Sequence, residues 1–122
     1  MEQHRARIGR GEKSVIFGLD GFSEGVDLPG ELCTRVVITK LPFQQLEDPV
    51  LKTHSEALEA AGLSAFNLLS LPRAGVKFAQ LCGRLLRTET DHGDILVPDV
   101  RLARKRYGAQ LLRSVPIRHQ VV

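Results

Sequence analysis

Aromatic side chains are scarce in this chain: five phenylalanines, one tyrosine and no tryptophan. Base stacking on aromatic rings is a main source of affinity for single strands, so a stacking platform has little to be built from. Cysteine is scarce too. Cys33 and Cys82 stand alone and match no zinc or iron–sulfur spacing, so both are expected as reduced, buried, small apolar side chains. His4, His54, His92 and His119 show no paired metal-ligand spacing and are expected at the surface. No apolar run approaches the roughly 18–20 residues of a membrane span, and no membrane partner is expected. The opening stretch MEQHRARIGRGEK is polar throughout, which excludes a secretory leader there and leaves the cytoplasm as the expected location. Internal repeats and low-complexity tracts are missing as well.

What is present is an ordinary globular composition over 122 residues, 43% hydrophobic and 25% charged, enough for a single domain over 1–122. The net charge of +3 is unevenly spread. Residues 101–122 hold Arg101, Arg104, Lys105, Arg106, Arg113 and Arg118 and no acid, while seven basic and twelve acidic residues occupy 14–100. Such a tail attracts phosphates or acidic protein surfaces, or forms a solvated helix face.

Three short apolar runs read as strands: SVIFGL (14–19), RVVITK (35–40) and DILVPD (94–99), the last ended by Pro98. Their nearly continuous apolar character suggests parallel strands covered on both faces. Helices are expected between and after them. DPVLKTHSEALEAAG (48–62) has Asp48 as N-cap, Pro49 in the first turn and Gly62 at the end; 73–88 and 101–114 are amphipathic. Alternating strands and helices predict an α/β fold with a parallel sheet flanked by helices. Three strands make a thin sheet, so the chain is expected to be part of a larger domain.

Two stretches carry candidate chemistry. On a helix over 73–88, Lys77, Gln80, Arg84 and Arg87 fall within about 80° of one another, opposite Phe78, Leu81, Cys82 and Leu85. Guanidinium groups are planar, permanently charged forks suited to phosphate oxygens, and two of them one turn apart repel unless an anion or carboxylate lies between. Gly83 leaves room for a close approach. A solvated cationic face is the plain alternative. The second stretch, GLDGFSEGVDLPG (18–30), follows the first expected strand, where ligands of open α/β sheets sit. Its glycines free the backbone to turn, and Glu24 and Asp27 can accept a ribose hydroxyl or position the arginines; a plain turn with capping acids is equally compatible. GRGEKS (9–14) resembles a phosphate loop but has Glu12 where Gly must precede the Lys, and it precedes a strand rather than following one.

In order, SVIFGLDGFSEGVDLPG, VVITKLPF, QLCGRLLRTETDHGDILVPDVRL and YGAQLLRSVP resemble the second RecA-like motor domain of DinG-type helicases, in the XPD-like group of superfamily 2. The resemblance runs from about Arg5 to Pro116. It implies a partial RecA-like domain that works with a first motor domain, binds ATP with Mg2+ in the cleft between them, and moves on single-stranded DNA. GFSEGVD matches motif V, with Glu24, Gly25 and Asp27 on nucleotide-facing positions and Gly21, Phe22 and Ser23 near the DNA track; Lys77, on the 73–88 helix, is a further candidate for DNA contact. QLCGRLLR matches motif VI, in which Gln80, Arg84 and Arg87 reach the γ-phosphate and the two arginines act as arginine fingers. The phosphate loop, the magnesium-holding acidic box and the cysteines of an iron–sulfur cluster belong to the family's first domain, and motif IV is missing from these residues. A truncated C-terminal fragment of a DNA-repair helicase, inactive alone and open to self-association at an unpaired sheet edge, is therefore expected. The alternatives are a stand-alone nucleic-acid- or protein-binding module using the basic 101–118 segment, and a remnant without function.

Overall fold

A computed structural model describes residues 1–18, 27–44, 47–85 and 91–115. They gather into two compact units, one of 1–38 and 80–96, the other of 39–79 and 97–122. The fold is mixed helix and strand with a parallel sheet.

The first unit opens with helix α1 (Glu2–Gly9), a polar element with no expectation behind it in the sequence. A 3₁₀ turn over Gly30–Leu32 leads into strand β1 (Arg35–Val37), which pairs in parallel with β2 (Asp94–Leu96). Arg35 stands opposite Asp94, Val36 opposite Ile95 and Val37 opposite Leu96. The ladder extends at both ends, with Asp94 N–H donating to Thr34 O (3.0 Å) and Ile38 N–H to Leu96 O (2.9 Å). These two strands are shorter than the apolar runs at 35–40 and 94–99 that predict them. The third expected strand is a correction: Ser14–Gly18 join no ladder, Val15 and Phe17 are exposed, and Leu19 lies outside the described residues. The parallel sheet is flanked by helices as expected, with one face of the strand pair exposed. Arg35, Val37, Asp94 and Leu96 share one exposed face, where the Arg35–Asp94 ion pair (2.9 Å) sits beside two half-exposed apolar side chains.

In the second unit α2 (Pro49–Ala60) follows its sequence cues closely. The Asp48 carboxylate accepts from Val50 N–H (2.9 Å), and Pro49 occupies the first turn, where an N–H has no partner to lose. Gly62 takes φ +77°, so that its N–H reaches Glu59 O and that of Leu63 reaches Leu58 O, closing the helix end. Ser64 and Glu59 then cap the next segment through Asn67 N–H and Ala65 N–H. It begins as a π-turn over Phe66–Ser70 and continues as α3 (Leu71–Cys82), whose last residues pass into the first unit. Pro72 lies where the backbone register changes, a place at which a missing N–H interrupts least.

The basic segment is not one helix but two, α4 (Val100–Arg104) and α5 (Arg106–Arg113), with Lys105 extended between them (φ −84°, ψ 146°). The reason lies in its apolar residues. On a straight helix Leu102 and Leu111 stand about 180° apart. The break lets Leu102 become half-buried while Leu111 falls to 1% exposure. Gly108 permits the fold-back, because a Cβ there would meet the carbonyl of Leu102. Leu111 also packs on α3 at Gly75. Beside it Phe43, Phe66 and Tyr107 form a ring cluster with centroids 5.2–5.6 Å apart.

Candidate functional site

The end of α3 presents the first candidate residues. Gln80 is exposed on its last turn, and Cys82, 1% exposed, is turned inward. Burial pushes the Cys82 thiol up to about 11, so it stays protonated and inert at neutral pH. Cys33 is half-buried rather than buried, and neither cysteine forms a disulfide.

The helix stops at Cys82, which shifts Arg84 off the expected wheel. Arg84 N–H donates to Leu81 O and Leu85 N–H to Cys82 O, both 3.2 Å, so the chain tightens into a 3₁₀-like turn. Arg84 is half-buried, with its Nε shielded from solvent, between Cys82 and the 3%-exposed Leu85. The Leu85 side chain packs at Gly93, whose φ of +154° and proximity to Thr34 O leave no space for a Cβ. Arg84 therefore rides on a turn seated at the amino ends of β1 and β2. Arg87 lies outside the described residues.

Of the other stretch, Gly21, Phe22, Ser23, Glu24 and Gly25 also lie outside the described residues. Asp27 is exposed, and its backbone oxygen accepts from the Arg5 guanidinium (3.2 Å). Asp27, Gln80 and Arg84 belong to the first unit; Lys77, half-buried, belongs to the second.

Two arrangements escape a reading of the sequence. His4 is not at the surface: it is 8% exposed, with Nδ1 2.9 Å from Ser14 Oγ and Nε2 2.8 Å from Leu32 O. No residue pattern in 1–14 announces this. In the second unit the Asp99 carboxylate, 9% exposed, accepts from Leu41 N–H (3.0 Å), from Arg101 N–H (3.1 Å) and from the Arg101 guanidinium (2.6 Å). The Arg101 side chain, and then the two backbone donors, hold Asp99 well below the usual carboxylate range against the opposing effect of burial. Arg101 also lies over the Phe43 ring, 5.5 Å from its centroid. The P-D-V-R pattern, an acid directly before a helix, is the cue that could have revealed this cap. Arg101 is thus committed internally, and Arg104, Lys105, Arg106 and Arg113 are the exposed cations of the described part of the basic segment.

A shallow groove on α2, lined by Pro49, Val50, Thr53, His54 and Ala57, contains none of the candidate residues. Among the described residues no three His, Cys, Asp or Glu side chains are grouped to hold a metal, and no helix is long and apolar enough to cross a membrane.

Comparison with known proteins bears on this arrangement. The family described as helicase C-terminal domain matches residues 1–118. The ATP-dependent DNA helicase DinG of Photobacterium profundum is 40% identical over 116 residues, covering 95% of this chain and 17% of that protein. The DinG helicases of Salmonella choleraesuis and Escherichia coli (strain K12) are 41% and 39% identical over 117 residues, each covering 96% of this chain and 16% of the relative. The chain thus spans about a sixth of the length of these curated relatives. It belongs to the helicase C-terminal domain family, and within that family its sequence is similar to the DinG helicases.

Proposed function

We propose that these residues form the C-terminal part of the second motor domain of a DinG-type, superfamily 2 DNA helicase and supply the arginine side of its ATP site. The observation that carries this reading is the fixed seat of Arg84. Its turn is anchored on both sides by buried Cys82 and Leu85, which seats the backbone from which the guanidinium would reach the nucleotide. In the proposed chemistry water attacks the γ-phosphorus of ATP as the bond to the leaving oxygen of ADP breaks. Charge spreads over the transferred phosphoryl oxygens, and Arg84 and Arg87 stabilise it while Gln80 orients the reacting group. Glu24, Gly25 and Asp27 meet the nucleotide, and Gly21, Phe22, Ser23 and Lys77 follow single-stranded DNA. The phosphate loop, the Mg2+ ligands and any iron–sulfur cluster are assigned to a first motor domain. A cytoplasmic location and a part in DNA repair belong to the same reading.

The test is ATP turnover with single-stranded DNA, measured for this chain alone and after adding a separately made first motor domain. Turnover is expected only in the mixture, and Arg84→Ala is expected to lower it by about 10³–10⁵. Equal rates for wild type and Arg84→Ala overturn the assignment.

A second reading, a binding module for nucleic acid or protein, is favoured by the consecutive exposed cations Arg104, Lys105 and Arg106 at the α4–α5 break. It expects DNA binding that weakens steeply with salt and is indifferent to Arg84→Ala. Self-association through the short sheet, whose exposed face carries Val37 and Leu96, is checked by sedimentation across a concentration series.

A further inference from the structure

Three of the six aromatic residues of this aromatic-poor chain meet in the second unit. Each arrives on a different part of the chain, and each part is held by a bond of its own. Phe43 follows Leu41, whose N–H donates to the Asp99 carboxylate at 3.0 Å. Phe66 opens the π-turn, which is capped where Asn67 N–H donates to Ser64 Oγ at 3.2 Å. Tyr107 lies in the first turn of α5, where Gly108 N–H donates to Lys105 O at 3.0 Å. Phe43 and Phe66 are inclined at 30°, and Tyr107 stands edge-on to Phe43 at 82°. The cluster is not core. Phe78, in the same unit, is 2% exposed, whereas Phe66 is 39% exposed and Phe43 and Tyr107 are half-buried. Single π-turns are rare and recur at functional sites.

Guanidinium groups border the rings. Arg101 lies over Phe43, 5.5 Å from its centroid. Exposed Arg73 donates to Gln44 Oε1 at 3.4 Å, beside Phe43, and because that partner is a neutral amide the bond leaves its charge unbalanced. Exposed Arg106 directly precedes Tyr107. We propose that Phe43, Phe66 and Tyr107, with Arg73, Arg101 and Arg106 beside them, form a binding subsite for single-stranded nucleic acid: Phe66 offers its exposed ring to a base, and the guanidinium groups draw the flanking phosphates. The proposal rests on the reading of the chain as part of a DNA helicase and adds to it a contact outside the G-F-S-E-G-V-D stretch. Chemistry selects the partner. A polymer of flat bases and regularly spaced negative charge matches both the rings and the cations, whereas an acidic peptide matches only the cations. A duplex offers the phosphates but keeps its base faces stacked inside. Rings already packed on one another meet a base as an ordered surface, so little freedom is lost on binding.

The experiment is fluorescence anisotropy of the 122-residue chain with three probes: an oligothymidylate of about 15 nucleotides, an abasic strand with the same number of phosphates, and a duplex of the same length. Wild type is expected to bind the oligothymidylate about tenfold or more tighter than either of the others. Phe66→Leu keeps an apolar side chain and loses the ring. It is expected to weaken oligothymidylate binding by about five- to tenfold and to leave abasic binding unchanged. Arg106→Ala is expected to weaken both single strands alike and to lower the slope of log affinity against log salt by about one. Tyr107→Phe retains the ring and is expected to bind as wild type does. Equal wild-type affinity for the oligothymidylate and the abasic strand overturns the proposal, as does a Phe66→Leu loss that is absent or the same for both. Absence of binding at low salt overturns it too, and displacement of the oligothymidylate by polyglutamate as readily as by unlabelled oligothymidylate assigns the surface to an acidic protein instead. If Phe66→Leu does not fold, photocrosslinking of a bromodeoxyuridine strand to wild type decides: adducts in the peptides holding Phe43, Phe66 or Tyr107 support the subsite, and adducts confined to other peptides remove it. None of these measurements needs ATP. The helicase reading fails separately, through an inert Arg84→Ala or a mixture without turnover.

Discussion

In the second unit Leu41, Leu51, Leu69, Leu71, Phe78 and Leu111 are buried, and three aromatic rings meet beside them. Among the described residues of the first unit the buried side chains are Ile38, Cys82, Leu85 and His4, while Phe17 is 93% and Val15 75% exposed. The described part of the first unit adds directional links: the β1–β2 ladder, the His4 ring, and Gly93 against Thr34. The candidate residues Asp27, Gln80 and Arg84 all belong to this first unit. Apolar burial is tolerant of small shifts in geometry and supplies most of the stability; hydrogen-bonded links supply less energy but set positions more tightly. Functional segments are commonly drawn from the less stable parts of a fold.

Three substitutions probe the contrast. Leu111→Ala in the second unit removes a side chain that is 1% exposed, and is expected to cost about 2–5 kcal/mol in chemical unfolding. Gly93→Ala in the first unit forces a Cβ against the Thr34 carbonyl at a φ that side chains rarely adopt. It is expected to cost about 1–3 kcal/mol and to accelerate exchange at β1 and β2 before α2 responds. If instead Gly93→Ala destabilises α2 as much as β1, the two units do not differ in the way described.

Asp99→Asn has the smallest expected effect, about 1–2 kcal/mol at neutral pH, because Asn keeps an acceptor but loses the charge that faces Arg101. Its pH dependence is the more telling measurement. Folding lowers the pKa of Asp99, so as pH falls the unfolded chain takes up the proton first. The stabilisation is complete above the ordinary aspartate value of about 3.9 and is lost below it, until the native carboxyl protonates as well. Thermal melting from neutral pH downward should therefore bring wild type towards Asp99→Asn in acid; a constant gap between them removes the electrostatic account of this clasp.

Where local chemistry decides structure, the sequence is an adequate guide. Asp48, Pro49 and Gly62 bound α2 because a cap, a fixed φ and a left-handed glycine act within a few residues. The parallel relation of the two strands, the burial of Cys82, and the family itself were also legible. Elements held by distant partners were not. α1 has no apolar period, and its anchor points, Ser14, Asp27 and Leu32, lie outside it. The run at 14–18 has strand composition but joins no ladder, and composition cannot supply a neighbour. Pro72 suggests a helix start at 73, whereas the π-turn carries the helix through it. In the basic segment the charges suggest one helix; the opposite placement of Leu102 and Leu111 is what requires two. At the candidate site the residue types were legible, but the wheel extended α3 past Cys82, whereas Arg84 sits on the tighter turn beyond it.

The link from His4 to Leu32 spans 28 positions and that to Ser14 spans 10. Viewed as polymer physics, each contact is a long-range closure, and closing a loop of this size costs about 2–3 kcal/mol in chain entropy, which the protein meets on folding. One buried imidazole thereby ties a short polar helix, unstable by its own propensity, to residues far from it along the chain.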